Sequence, residues 1–135
     1  MQTPRAHLCI LVVDDCPDTT SSLVALMTIW GHRVLSAQGG REALALAAQH
    51  RPDVVLLDIA MPGMTGWDLA SKLRALPGLE RVVLLAVSGY GGDGDRRRSL
   101  EAGCALHMIK PVDPADLKQL LTAIETREPK VAAQG

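Results

Sequence analysis

Five side chains of the types that phosphoryl chemistry uses stand at or just after the ends of apolar runs in this sequence. Asp14 and Asp15 close "HLCILVVDD", Asp58 closes "DVVLLD", Ser88 closes "RVVLLAVS", and Lys110 follows "ALHMI". Three carboxylates drawn together repel one another unless a cation sits among them. Mg²⁺ suits such a place, because it takes oxygen ligands, binds through one or two carboxylates, and keeps its other positions for water and phosphate oxygens. Phosphoryl transfer needs an in-line nucleophile, a divalent ion, and donors aimed at the equatorial oxygens. On this reading Asp58 is the nucleophile, Asp14 and Asp15 carry the metal, and Lys110 and Ser88 meet the phosphoryl oxygens.

These residues can meet only if the runs before them are neighbouring strands pointing the same way. The runs are continuous and aliphatic, as strands buried on both faces are. Between them lie helical spacings. Leu23, Leu26, Met27 and Trp30 fall on one stripe, as do Leu117, Leu120, Leu121 and Ile124. Leu69, Leu73 and Leu76 mark a further helix, "GREALALAAQ" is rich in helix formers, and a shorter helix follows Asp93 and stops at Gly103. The weaker runs "RVLSA" and "ALHMI" read as sheet edges. Strand then helix, five times over, predicts a doubly wound α/β domain with a five-stranded parallel sheet and helices on both faces. In such a sheet ligands gather outside the carboxyl ends of the strands, where all five candidates stand.

Composition narrows the function. The chain has 135 residues, 47% of them hydrophobic, a size and content that predict one compact domain. Lys and Arg number 14 against 15 Asp and Glu, so no basic field draws nucleic acid or anionic lipid. Phe is absent and aromatics make up 2%, which leaves no base-stacking platform. Cys9, Cys16 and Cys104 lack C-x-x-C spacing, which favours free thiols in a reducing, cytoplasmic setting over a disulfide framework or zinc site. No export signal and no membrane-length apolar run are present, so neither membrane nor nucleic acid is an expected partner.

The fragments "VVDD", "VVLLDIAMPGMTG", "LLAVSG" and "IKP", in order at successive strand ends, resemble a bacterial two-component response-regulator receiver domain over residues 7–125. Residues 1–6 and 126–135 are then short flexible ends. The resemblance implies the flavodoxin-like strand order 2-1-3-4-5. It also implies that Asp58 accepts a phosphoryl group from the phosphohistidine of a sensor histidine kinase or histidine phosphotransfer protein. Asp14, Asp15 and the backbone carbonyl of Ala60 would hold Mg²⁺, and Ser88 and Lys110 would read the phosphate. The Lys110–Pro111 bond is expected to be cis, and Met61, Pro62 and Gly63 to shape the turn beside the acceptor. Such a domain is not an enzyme toward other substrates: it catalyses phosphoryl transfer to its own Asp58 and its own dephosphorylation.

The sequence departs from the family at four positions. His107 stands where the family commonly has Tyr or Phe, and is expected to act as the switch side chain; the plainer alternative is an ordinary edge-strand histidine. Ala60 and Tyr90 occupy positions where polar groups often orient water, so Tyr90 is expected to set phosphoryl lifetime by shielding the site. Cys16 follows the acidic pair, where packing is a plainer role than redox chemistry, and Pro17 suits a first helical turn.

Rival readings are weaker. "GYGGDG" fits G-x-G-x-x-G formally, but it follows the fourth strand and would set Asp93 against an anionic pyrophosphate. An aspartyl-nucleophile phosphatase would want Asp-x-Asp at the first strand and a cap domain. A phosphate-blind interaction domain of the same fold is the remaining alternative, although all five site residues are present. Arg96, Arg97 and Arg98 read as a solvated helix face. Asp18 and Asp68 read as turn formers or helix caps, and Met61 and Met64 as packing residues. No effector is recognisable, so output is expected through an unknown protein partner. A phosphorylation-dependent dimer through the fourth and fifth strands and their helices is compatible with the resemblance. "SGYGGDGDRRRSLEAG" and "HMIKPVD" look more like receivers attached to hybrid kinases than like those fused to DNA-binding domains, and the resemblance implies either a single-domain regulator or a hybrid-kinase-type receiver.

Overall fold

The aliphatic runs form strands because branched side chains pack well on both faces of a pleated sheet. In the computed structural model, which describes residues 7–89 and 93–126, they are β1 (Cys9–Val13), β3 (Val54–Asp58) and β4 (Val83–Ser88). The shorter β2 (Arg33–Ala37) and β5 (Leu106–Ile109) flank them. The helices are α1 (Pro17–Ile29), α2 (Gly40–His50), α3 (Gly66–Arg74), α4 (Asp93–Glu101) and α5 (Pro114–Glu125). All neighbouring strands are parallel, in the order β2-β1-β3-β4-β5. The two polar runs are the edges.

Alternation along each central strand divides the core in two. Leu11, Val13, Val55, Leu57, Leu84 and Ala86 face Ala43 and Ala47 of α2 and Leu69, Ala70 and Leu73 of α3. Ile10, Val12, Val54, Leu56, Val83 and Leu85 face Met27 of α1 and Leu117 and Leu121 of α5. The period of two that sends successive side chains to opposite faces is what lets one strand feed both cores.

Helix starts carry local signals. Pro17 opens α1, Thr65 Oγ1 accepts from the Asp68 amide, and Asp113 Oδ1 accepts from the Ala115 amide. Asp18 and Asp68 therefore lie within first turns, where a negative charge suits the helix dipole, while the caps themselves are Cys16 and Thr65. Met61 is buried and Met64 packs beside α2 against Gly40. Arg74, at the end of α3, donates to the carbonyls of Glu80, Val82 and Gly103, tying that end to the turns before β4 and β5. No described helix is long and apolar enough to cross a membrane.

Candidate functional site

Register decides which strand ends meet. Asp58 ends β3 opposite Val87 of β4, and Ser88 ends β4 opposite Ile109 of β5. Asp14 and Asp15 follow β1 directly, and Lys110 follows β5, so all five candidates lie on the carboxyl edge of the sheet. The parallel crossovers bring them there; no stretch of sequence does so alone.

Carboxylate oxygens of Asp14, Asp15 and Asp58 lie within 4.8 Å of one another. Asp14 and Asp58 are buried and Asp15 is exposed. Lys110 Nζ lies 3.0 Å from Asp14 Oδ2 and 3.3 Å from Asp58 Oδ2. The Ala60 amide donates to Asp58 Oδ1 at 3.0 Å and the Cys16 amide to Asp14 Oδ1 at 2.9 Å, so each buried carboxylate has one oxygen held by backbone and the other turned to Lys110. A cavity of about 470 Å³ opens beside them, lined by Asp14, Asp58, Val87, Lys110 and Pro111, with apolar Leu23 and Val112 further along. That volume is in the range of small-ligand sites.

Burial pushes the Asp58 carboxyl above the usual carboxylate range, and the neighbouring Asp14 adds to this; the Ala60 amide and Lys110 act against it. Burial alone would lower Lys110, but the hydrogen bond to Asp14 and the charges of Asp58 and Asp14 raise it overall. One lysine cannot neutralise three carboxylates. The donor set, hard oxygens gathered with excess negative charge at a sheet edge, fits a hard divalent cation.

The turn after Asp58 is shaped by two glycines. Gly63 has φ +86°, a conformation that side chains with a Cβ rarely adopt. At Gly66, α3 begins so close to β3 that an added Cβ would lie 2.6 Å from the Asp58 carbonyl oxygen. The Lys110–Pro111 bond is cis.

His107 is buried and bridges two hydroxyls: Nε2 lies 2.8 Å from Ser88 Oγ, and Nδ1 lies 2.8 Å from Ser99 Oγ of α4. Ser99 also accepts from Trp67 Nε1 of α3 at 3.0 Å. Arg98 lies 3.9 Å above the Trp67 ring, so this member of the arginine triplet is stacked as well as solvated. Sequence reasoning missed Trp67, Ser99 and Arg74. The first two sit on separate helices with no motif between them. Tyr90 and the middle of "GYGGDG" lie outside the described residues. Cys9, Cys16 and Cys104 form no disulfide, and burial raises the Cys104 thiol to about 11, the character of a packing residue.

Residues 10–122 match the family model described as "Response regulator receiver domain". The chain is 38% identical over 121 residues to an uncharacterized 14.6 kDa protein of Leptolyngbya boryana, covering 90% of this chain and 92% of that one. It is 38% identical over 104 residues to the response regulator PleD of Caulobacter vibrioides, covering 77% of this chain but only 23% of PleD. Among solved structures, it superposes with TM-score 0.81 and 29% identity on the receiver domain of the sensor histidine kinase PA1611 of Pseudomonas aeruginosa PAO1, covering 90% of this chain and 99% of that one. That structure has a magnesium ion coordinated in its active-site cleft. With this match, this sheet order and this arrangement of strand ends, the chain belongs to the response-regulator receiver-domain family.

Proposed function

We propose that the domain is a phosphorylation-dependent switch that takes a phosphoryl group onto Asp58 from the phosphohistidine of a sensor histidine kinase or histidine phosphotransfer protein. The observation that carries this is the placement of Lys110 Nζ between the free oxygens of Asp14 and Asp58 at the carboxyl edge of the sheet. In the transfer, the P–N bond to the donor imidazole breaks as a bond forms to an Asp58 carboxylate oxygen. The imidazole keeps the electron pair and then takes a proton. The Ala60 amide holds the carboxylate in one orientation, Lys110 meets charge on the phosphoryl oxygens, and Ser88 donates to another of them.

Asp14, Asp15 and the Ala60 carbonyl are the groups that would hold Mg²⁺, and the magnesium-bearing PA1611 receiver supports this assignment. Bound there, the ion would supply positive charge to the phosphoryl oxygens and offset the repulsion among the carboxylates. The domain then catalyses only its own phosphorylation and dephosphorylation, and signals in the cytoplasm through a partner protein, with nucleic acid and membrane playing no direct part. The exposed Leu100, Leu106 and Ile109, on α4 and β5, are a surface for such a partner or for a phosphorylation-dependent dimer.

Intact mass after incubation with acetyl phosphate or phosphoramidate tests the reading. The expected result is a Mg²⁺-dependent phosphoryl adduct that is absent from Asp58→Asn. No adduct, together with no beryllofluoride binding, would leave a phosphate-blind interaction domain. Turnover of phosphate monoesters would point instead to a phosphatase.

A further inference from the structure

The hydrogen bonds behind Ser88 have a direction. The Trp67 indole Nε1–H can only donate, and it donates to Ser99 Oγ. Ser99 is fully buried, and its Oγ is within hydrogen-bond reach of Trp67 Nε1 and His107 Nδ1 among the described residues. The indole has no acceptor for the Ser99 hydroxyl hydrogen, which leaves His107 Nδ1 as its place. A buried hydroxyl hydrogen without an acceptor costs about 1–3 kcal/mol, so the Ser99 O–H points to Nδ1. The neutral ring then carries its own hydrogen on Nε2, which faces Ser88 Oγ at 2.8 Å. Burial lowers the His107 pKa, with Arg96 adding to this and Asp95 opposing it, which agrees with a neutral ring.

We propose that Ser99 is a positioning residue for the phosphoryl-reading hydroxyl: it holds His107 as the Nε2–H tautomer, so that Ser88 accepts from His107 and directs its own hydrogen elsewhere, toward the phosphoryl group. In the opposite tautomer, Ser88 would spend its hydrogen on the ring. Trp67 extends the same line of donors from the sheet edge to the outer surface of α3 and α4, where Arg98 covers the indole. When Ser88 moves toward phosphate, His107 Nε2–H must follow its acceptor. The Ser99 and Trp67 bonds are then the ones that shift. This inference rests on the functional reading above, because it assigns the donor role of Ser88 in that site.

Long-range ¹H–¹⁵N correlation spectra of the full chain, labelled with ¹⁵N, read the tautomer directly. The expected wild-type signature is a bare Nδ1 and a protonated Nε2 on His107. Ser99→Ala should lose this preference and Trp67→Phe should keep it. Addition of Mg²⁺ and beryllofluoride should shift the Trp67 indole N–H resonance, assigned by its loss in Trp67→Phe. In Ser99→Ala that shift should vanish while ¹⁹F signals still show bound beryllofluoride.

A protonated Nδ1 in the wild type overturns the proposal on the unaltered chain, so misfolding of a variant cannot shield it. So does an indole shift of undiminished size in Ser99→Ala. Beryllofluoride bound to wild type with an unmoved indole removes the relay alone. Failure of the wild type to bind beryllofluoride removes the functional reading and the donor role of Ser88 with it.

Discussion

A Cβ on Gly66 would lie 2.6 Å from the carbonyl oxygen of Asp58 and 2.7 Å from the Cα of Ile59. The obstacle is backbone, so it cannot swing aside as a side chain would. Asp58 is therefore held in place by the absence of a side chain on Gly66, the first residue of α3.

Gly66→Ala should push α3 and the end of β3 apart. Overpacking of this kind costs about 1–3 kcal/mol. The expected outcome is a lower urea midpoint together with slower phosphoryl uptake from acetyl phosphate. Unchanged values of both would show that the contact relaxes without disturbing Asp58.

Asp58→Asn should stabilise the metal-free fold. It removes one of three carboxylates that crowd within 4.8 Å of one another, where, among the described residues, Lys110 is the cation bonded to two of them. A gain of about 1 kcal/mol in EDTA is expected, the usual trade between stability and a strained functional site. Mg²⁺ should raise the wild-type midpoint more than that of Asp58→Asn, since an ion that binds only the folded state stabilises it by mass action. Denaturation curves with and without the metal check both statements.

His32 gives the fold an acid limit. Its Nδ1 accepts from the Leu8 amide at 3.0 Å, and burial lowers its pKa, opposed by Glu125 and assisted by His7. The unfolded imidazole titrates near about 6.5, so below that pH the unfolded chain binds a proton that the folded chain refuses. The stabilisation is complete above about 6.5 and is lost as pH falls toward the lowered folded value. His107, lowered in the same direction, adds to the effect. His32→Gln should therefore lose less stability than wild type between about pH 7.5 and about pH 5.5. An equal loss would exclude His32 as a source of the acid sensitivity.

Arg74→Ala should weaken the fold without touching the site chemistry. It strips donors from the carbonyls of Glu80, Val82 and Gly103 and removes a stem that packs against Gly103. Carbonyls left unpaired cost about 1–3 kcal/mol when buried, so a loss of about 2 kcal/mol or more is expected. Phosphoryl uptake measured below the new midpoint should be nearly normal. A large loss of uptake would mean that these turns position Lys110 or Ser88.

The sequence by itself determined the strand and helix order, the polar edges, the single layer of acids at strand ends and the turn at Gly63. Those features rest on local physics: side-chain period, helix propensity, and the backbone freedom of glycine. Asp14, Asp58 and Lys110 were legible because each ends or follows an apolar run, and a parallel sheet brings all such ends to one edge. What only the tertiary structure decided is which partners each group finds there. His107 could be read as a switch side chain or as a plain edge-strand histidine, and its burial against Ser99, which α4 supplies and Trp67 of α3 holds in turn, is a contact that the sequence did not show. Arg74 belongs to no motif in the sequence, yet it ties the turns before β4 and β5 to the end of α3. Hydrogen bonds between elements far apart in sequence leave no periodic trace in it, because their geometry exists only once the sheet has set the helices side by side.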